Sequence, residues 1–174
     1  AATAVMGAVG LMGAGSFSSS RRESARENVR YFEFDNVFSP AASQQRVFTE
    51  VEMLIRSVYE GFNVCIFAYG QTGSGKSYSM MGSQEEQGII PRLCVDLFQQ
   101  IGAMSSAGTQ AKVEVSYMEI YNEKIYDLLG DLANPDMATD YTIAEDKEGR
   151  GTFVRGIAEI EVKDEAHALS LLFS

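Results

Sequence analysis

Between Ser43 and Tyr59 the apolar residues recur every three to four positions, with Val47, Val51, Leu54, Ile55 and Val58 on one side. That is the period of an amphipathic helix. Ser43 is placed to cap its first turn, and Gly61 suits the position just beyond its carboxyl end. Residues 64–69 are then apolar or aromatic without a break, the pattern expected of an interior strand covered on both faces. A polar loop, 82–88, leads to a second helical run that starts at Pro91 and carries Leu93, Cys94, Leu97, Phe98 and Ile101 on one side. Residues 102–110 read as a flexible connection.

Residues 112–121 alternate, with Val113, Val115, Tyr117 and Glu119 set against Lys112, Glu114, Ser116 and Met118, a strand with neither face cleanly apolar. Ile125, Leu128 and Leu129 suggest a helical turn after Asn122. Residues 130–140 read as loop, 141–143 and 152–162 as strands, and Asp164 as the cap of a last helix with Ala168, Leu169, Leu171 and Leu172. Upstream, 29–34 reads as a short strand feeding a turn at Ser39-Pro40. Residues 1–28 are rich in Ala, Gly and Ser, then charged, with no stable period, so a flexible or disordered segment is expected. Helices mixed with strands in a chain of 174 residues predict an α/β domain with one core.

The apolar run at 64–69 leads straight into Gly70-Gln71-Thr72-Gly73-Ser74-Gly75-Lys76-Ser77. This is a complete phosphate-binding loop pattern. Gly70, Gly73 and Gly75 permit a tight turn whose backbone N–H groups converge on a phosphate, and the following helix start adds unpaired donors. Lys76 is the candidate bridge between the β- and γ-phosphates, and the Ser77 hydroxyl is the candidate Mg²⁺ ligand. A glycine-rich surface turn is the plainer reading, but strand, turn and helix start all agree with the loop. The ligand class is ATP or ADP with Mg²⁺.

The flanking segments narrow the family. Phe34-Asp35-x-Val37-Phe38 precedes the first helix, Glu60-Gly61-Phe62-Asn63 ends it, and the loop continues as Lys76-Ser77-Tyr78-Ser79-Met80-Met81-Gly82. Farther on stand Gly88-Ile89-Ile90-Pro91-Arg92, Val115-Ser116-Tyr117-Met118-Glu119-Ile120-Tyr121-Asn122-Glu123 and Asp127-Leu128-Leu129. In order and spacing these resemble the kinesin motor domain of the transport and mitotic type, over about residues 31–173.

The resemblance implies a P-loop NTPase with a mixed central sheet flanked by helices, and a microtubule-stimulated ATPase that works along tubulin in the cytoplasm. It also implies that Gln71 to Ser77 cradle the phosphates and that Tyr78 packs against adenine, although Tyr78 also reads as an ordinary helix residue on the sheet edge. The chain departs from the family pattern in three places. Residues 1–30 hold no Arg-x-Arg-Pro-like segment, and no serine-rich first switch or Asp-Leu-Ala-Gly second switch follows. Residues 29–174 are therefore expected to be a partial, truncated motor domain, with a catalytically inactive nucleotide-binding fragment as the alternative to an active motor.

Charge and rare residues refine this. The net charge of −10 argues against a general nucleic-acid binder, and from Asn122 onward 12 acids face 5 bases. Arg150 and Arg155 are the nearby candidates for contact with acidic tubulin, and both also read as solvated loop charges. Asp164-Glu165-Ala166-His167 spells a helicase box, but the preceding Glu159 to Lys163 alternates charged and apolar residues, unlike a buried strand, and the box fits a helix cap better. Cys65 and Cys94 lack metal-like spacing and read as reduced core residues, and no apolar run reaches the roughly 20 residues of a membrane span. Oligomeric state is not encoded in any recognisable segment.

Overall fold

The computed structural model describes residues 33–108, 110–130, 141–146 and 151–173. They fall into two compact units that divide between Leu93 and Cys94. The expected flexible 1–28 segment, most of the 29–34 strand and nearly all of the 130–140 loop lie outside the described residues. What is described of 29–34 is not paired as a strand.

The first unit is organised by helix α1 (Gln44–Tyr59). The Ser43 hydroxyl accepts from Arg46 N at 3.2 Å, the expected amino-terminal cap. At the other end Gly61 adopts φ +93°, Gly61 N donates to the Val58 carbonyl and Phe62 N to the Ser57 carbonyl. Those paired bonds satisfy carbonyls that the helix itself leaves open. The buried row is Gln44, Phe48, Val51 and Ile55. The stripe is thus rotated from the expected one: Phe48 joins it, and Leu54 is 45% exposed. Spacing at 44, 48, 51 and 55 is as regular as the row read from sequence, and packing selects between them.

Phe48, Val51 and Ile55 close a core with Ile66 and Ile89, and Val47, Tyr59, Val64, Met80 and Leu93 pack around it. Ile89 is 1% exposed, so trimming it to alanine costs about 2–5 kcal/mol. In residues 64–69 only Ile66 is a bridge position, and the segment belongs to none of the ladders among the described residues. Ile66 is buried while Cys65, Phe67 and Tyr69 are exposed. The expectation of a strand covered on both faces is corrected: α1 and Ile89 cover one face, and the other carries apolar side chains in the open.

Helix α2 (Lys76–Met80) follows the glycine loop, and α3 (Ile89–Ser106) begins after 82–88. Helix α3 starts two residues before Pro91, which the first turn tolerates because its N–H would have no partner there. It also runs through Gly102 to Ser106, where a flexible connection was expected. The Ser106 hydroxyl donates to the Gly102 carbonyl at 3.0 Å. Ahead of α1, Asn36 Nδ2 donates to Glu50 Oε2 at 2.9 Å and the Arg46 guanidinium lies 6.0 Å from the Phe38 ring centroid. These contacts tie the Phe34–Phe38 motif to α1.

The second unit holds the rest of α3, strands β1 (Val113–Val115), β2 (Met118–Tyr121), β3 (Lys124–Asp127), β4 (Thr142–Glu145), β5 (Thr152–Arg155) and β6 (Ile160–Val162), and helix α4 (Glu165–Leu172). Among the described residues the ladders are antiparallel and two-stranded: β1 with β6, β2 with β3, β4 with β5. The strand expected over 112–121 is therefore two strands broken at Ser116-Tyr117. Its first part pairs with β6. The helical turn expected after Asn122 is instead β3, reached through a tight turn in which Asn122 and Glu123 both take positive φ, 48° and 63°. The strand expected over 152–162 is likewise split into β5 and β6.

The Asp127 carboxylate binds this unit together. Oδ1 accepts from Leu129 N at 2.9 Å and Gly130 N at 3.0 Å, and Oδ2 accepts from Ala158 N at 2.8 Å and the Tyr141 hydroxyl at 3.5 Å. Helix α4 is capped as expected, Asp164 Oδ1 accepting from His167 N at 2.8 Å. Among the described residues no helix is long and apolar enough to cross a membrane.

Candidate nucleotide-binding site

The loop 70–77 is built by backbone conformations that side chains disfavour. Gly70, Gly73 and Gly75 have φ of +156°, +79° and +92°, and a Cβ added to Gly70 would sit 2.4 Å from Ser74 Oγ. Left-handed φ at Gly73 and Gly75 turns the chain into the first turn of α2, and Gly75 is the residue preceding that helix. Ser74 N donates to the Gln71 carbonyl at 3.1 Å, closing the bend.

Two side chains in the bend bear on whether it fits a phosphate. Lys76 Nζ folds back onto the loop and donates to the carbonyls of Gly70 and Gln71, both at 2.8 Å. Ser74 Oγ is buried with no hydrogen-bond partner. An unpaired buried hydroxyl costs about 1–3 kcal/mol, and an ammonium resting on neutral carbonyls has no counter-charge. A phosphate group in the bend fits both: it accepts from the hydroxyl and gives the lysine an anion. Gln71, Thr72 and Ser77 are exposed, so Ser77 on the first turn of α2 is open to a ligand. Among the described residues no group of three His, Cys, Asp or Glu side chains could hold a metal ion.

The site residues taken from the sequence, Gly70 to Tyr78, are contiguous and lie together at one end of α2. Tyr78 stands two residues past Lys76, 49% exposed, its hydroxyl donating to Glu86 Oε2 at 2.8 Å. That bond, with burial and the negative charge of Glu86 adding to it, raises the phenol above its ordinary pKa. The Tyr78 carbonyl accepts from Gln44 Nε2 at 2.6 Å, and Gln44 is only 4% exposed. Neither Gln44 nor Glu86 was read as a site residue. Gln44 carried a signal, because a polar residue on the buried row of an amphipathic helix needs a partner. Glu86 carried none, since nothing in a polar loop marks which carboxylate meets a tyrosine.

Beside the loop, a cleft of ≈ 580 Å³ is walled by Phe34, Phe38, Val47, Val51, Lys76 and Tyr78, among others. Arg155 ends β5, and Arg150 lies outside the described residues. Asp164, the first carboxylate of the helicase-like box, caps α4 through Oδ1.

Comparison with known proteins gives the family. The kinesin motor domain family matches residues 11–174, beginning about 20 residues earlier than the motifs alone suggested. The kinesin-like protein KIN-14C of Arabidopsis thaliana is 42% identical over 158 residues, covering 83% of this chain and 20% of its own length. Among solved structures, the KIF14 dimer in its two-heads-bound state with AMP-PNP and a microtubule has a TM-score of 0.67 at 42% identity, covering 76% of this chain and 36% of that one. The motor domain of Kar3 from Saccharomyces cerevisiae has a TM-score of 0.73 at 35% identity, covering 86% and 43%. The chain thus spans a fifth of that plant relative and less than half of these two motors. With a family match across nearly its whole length and a P-loop NTPase fold shared with solved motors, this chain belongs to the kinesin motor domain family.

Proposed function

We propose that residues 70–78 bind the phosphates and base of ATP or ADP, and that the complete motor domain hydrolyses ATP under stimulation by microtubules to produce movement or force along them. The observation that carries the nucleotide part is the bend itself: a buried, unpartnered Ser74 hydroxyl beside a lysine that has only loop carbonyls to bind. With nucleotide bound, Lys76 Nζ would pair with the phosphates in place of those carbonyls. Free backbone N–H groups of the bend and of the first turn of α2 would bind the phosphates, Ser74 Oγ would gain an acceptor, and the Ser77 hydroxyl would hold Mg²⁺. The metal, when bound, neutralises charge between the phosphates. Tyr78 flanks the base.

The microtubule part rests on family membership and on the AMP-PNP and microtubule present with the KIF14 motor. In this reading the complete protein works on the microtubule cytoskeleton, in the cytoplasm. Nothing in the site favours a nucleic-acid partner.

Calorimetric titration of the chain with MgADP and MgATP tests the site. One-to-one binding that disappears in Lys76→Ala is expected, and no heat with either nucleotide would overturn the reading. For the motor, the same loop substitution in a full-length domain is expected to abolish microtubule-stimulated turnover. Turnover that survives it would remove the loop from the mechanism.

A further inference from the structure

Tyr78 is held at both ends. Its carbonyl is fixed by the buried Gln44 amide of α1, and its hydroxyl by the carboxylate of Glu86. The side chain between them is half exposed, and it lies one helical step from the phosphate loop.

Glu86 is exposed, but the loop that carries it is tightly built. Ser83 N donates to the Glu86 carbonyl at 2.8 Å, Glu86 N donates to Ser83 Oγ at 3.1 Å, and Gly88 N donates to the Met81 carbonyl at 3.0 Å. Gly82 and Gln87 form a bridge across it. A Cβ on Gly82 would lie 2.2 Å from the Glu86 carbonyl oxygen, and one on Gly88 would lie 2.7 Å from the Met80 carbonyl. Only glycine at both places lets the chain close this far, so the loop presents Glu86 at a set distance from Tyr78. The carboxylate also favours the protonated phenol, which keeps the donor in place.

Resting on the nucleotide reading of 70–78, we infer that Glu86 is a positioning residue for the nucleoside: by accepting from Tyr78 it fixes the phenol ring as a wall for the base, and does not act on the phosphates. The loop 82–88 thereby contributes to affinity for a nucleoside diphosphate without touching it. A lone surface hydrogen bond of this kind is weak for stability. Its leverage comes from restricting the rotamers of a ring that otherwise has to be ordered at each binding event.

The test compares MgADP with magnesium pyrophosphate, which offers the same diphosphate without a base, on the chain and its Glu86→Ala, Glu86→Gln, Tyr78→Phe and Tyr78→Phe/Glu86→Ala variants. Glu86→Ala and Tyr78→Phe are each expected to weaken MgADP about threefold to tenfold and leave pyrophosphate unchanged. The double variant is expected to be no weaker than either single one, and Glu86→Gln, whose amide oxygen still accepts, to stay within about twofold of the parent. Equal losses for pyrophosphate, additive losses, or an unchanged MgADP affinity in Glu86→Ala would each overturn the inference. If Glu86→Ala does not fold, Tyr78→Phe, which leaves the loop intact, makes the same comparison. A parent chain that binds neither ligand overturns the nucleotide reading itself. One that binds both equally keeps the phosphate loop and removes the base wall.

Discussion

Lys76 lies against Gly70: its ammonium donates at 2.8 Å to the carbonyl at the far side of the bend, and to that of Gln71 beside it. The cation that the sequence marks for phosphate thus closes the loop on itself. In the proposed site, nucleotide is expected to displace this internal contact, whose energy would be subtracted from the affinity.

Removing the ammonium therefore has two effects of different size. The carbonyl bonds are exposed, so Lys76→Ala changes folding stability by less than about 1 kcal/mol. The phosphate bonds are charge-assisted, at about 1.5–3 kcal/mol each, so MgADP affinity is expected to fall at least about tenfold. Urea denaturation and calorimetry on one preparation separate the two. A stability loss equal to the affinity loss would show that the lysine serves the fold.

What could be read in the sequence and what could not follows the range of the interactions involved. Both caps of α1 were legible because Ser43 and Gly61 act within one turn of their own positions. The phosphate loop was legible for the same reason, since glycine conformation and Lys76 reach are local. The segment 122–129 was misread because Ile125, Leu128 and Leu129 have helical spacing, while Asn122-Glu123 lacks the glycine that usually announces a two-residue hairpin turn. The 102–110 pattern reads as a flexible connection, but α3 runs through Gly102 to Ser106. The Tyr78, Glu86 and Gln44 triangle joins three separate elements, and only the buried polar Gln44 left a trace in the pattern.

Asp127 is expected to be among the least replaceable polar residues of the second unit. Its carboxylate accepts four bonds spread over 129, 130, 141 and 158. Asp127→Ala leaves those donors without it and is expected to cost roughly 2–4 kcal/mol in chemical denaturation. Asp127→Asn is expected to be nearly as costly, because one side of the amide becomes a donor and meets either Ala158 N–H or the N–H pair of Leu129 and Gly130. An asparagine variant as stable as the parent would reduce Asp127 to a single useful oxygen.

Glu123 offers the opposite case, a substitution that stabilises. It holds φ +63° in the β2–β3 turn, a region costly for a residue with a side chain. Glycine removes that strain, and part of the gain is offset by the greater freedom of the unfolded chain. Glu123→Gly is expected to raise stability by about 0.5–1 kcal/mol, read as a higher denaturation midpoint with an unchanged slope. A lower midpoint would mean that the glutamate makes a compensating contact in the turn.

Cys94 gives the folded chain a weakness at alkaline pH. Burial, with the negative charge of Glu165 adding to it, pushes its thiol from 9.0 up to about 11, so the native state favours the neutral form. Stability from this group is fully present below pH 9, where the unfolded thiol is still protonated. It is lost as pH rises from 9 through 11, where the unfolded chain ionises and the folded one resists. Relative to Cys94→Ala, the parent is expected to lose on the order of 1–2 kcal/mol more between pH 8 and pH 11. The variant's cavity cost does not depend on pH and cancels from this difference. Thiol labelling of the native chain at pH 8 is an independent check: exposed Cys65 should react at once and Cys94 only on unfolding. Parallel pH curves for parent and variant, or rapid labelling of both thiols, would show that Cys94 is not shielded in solution.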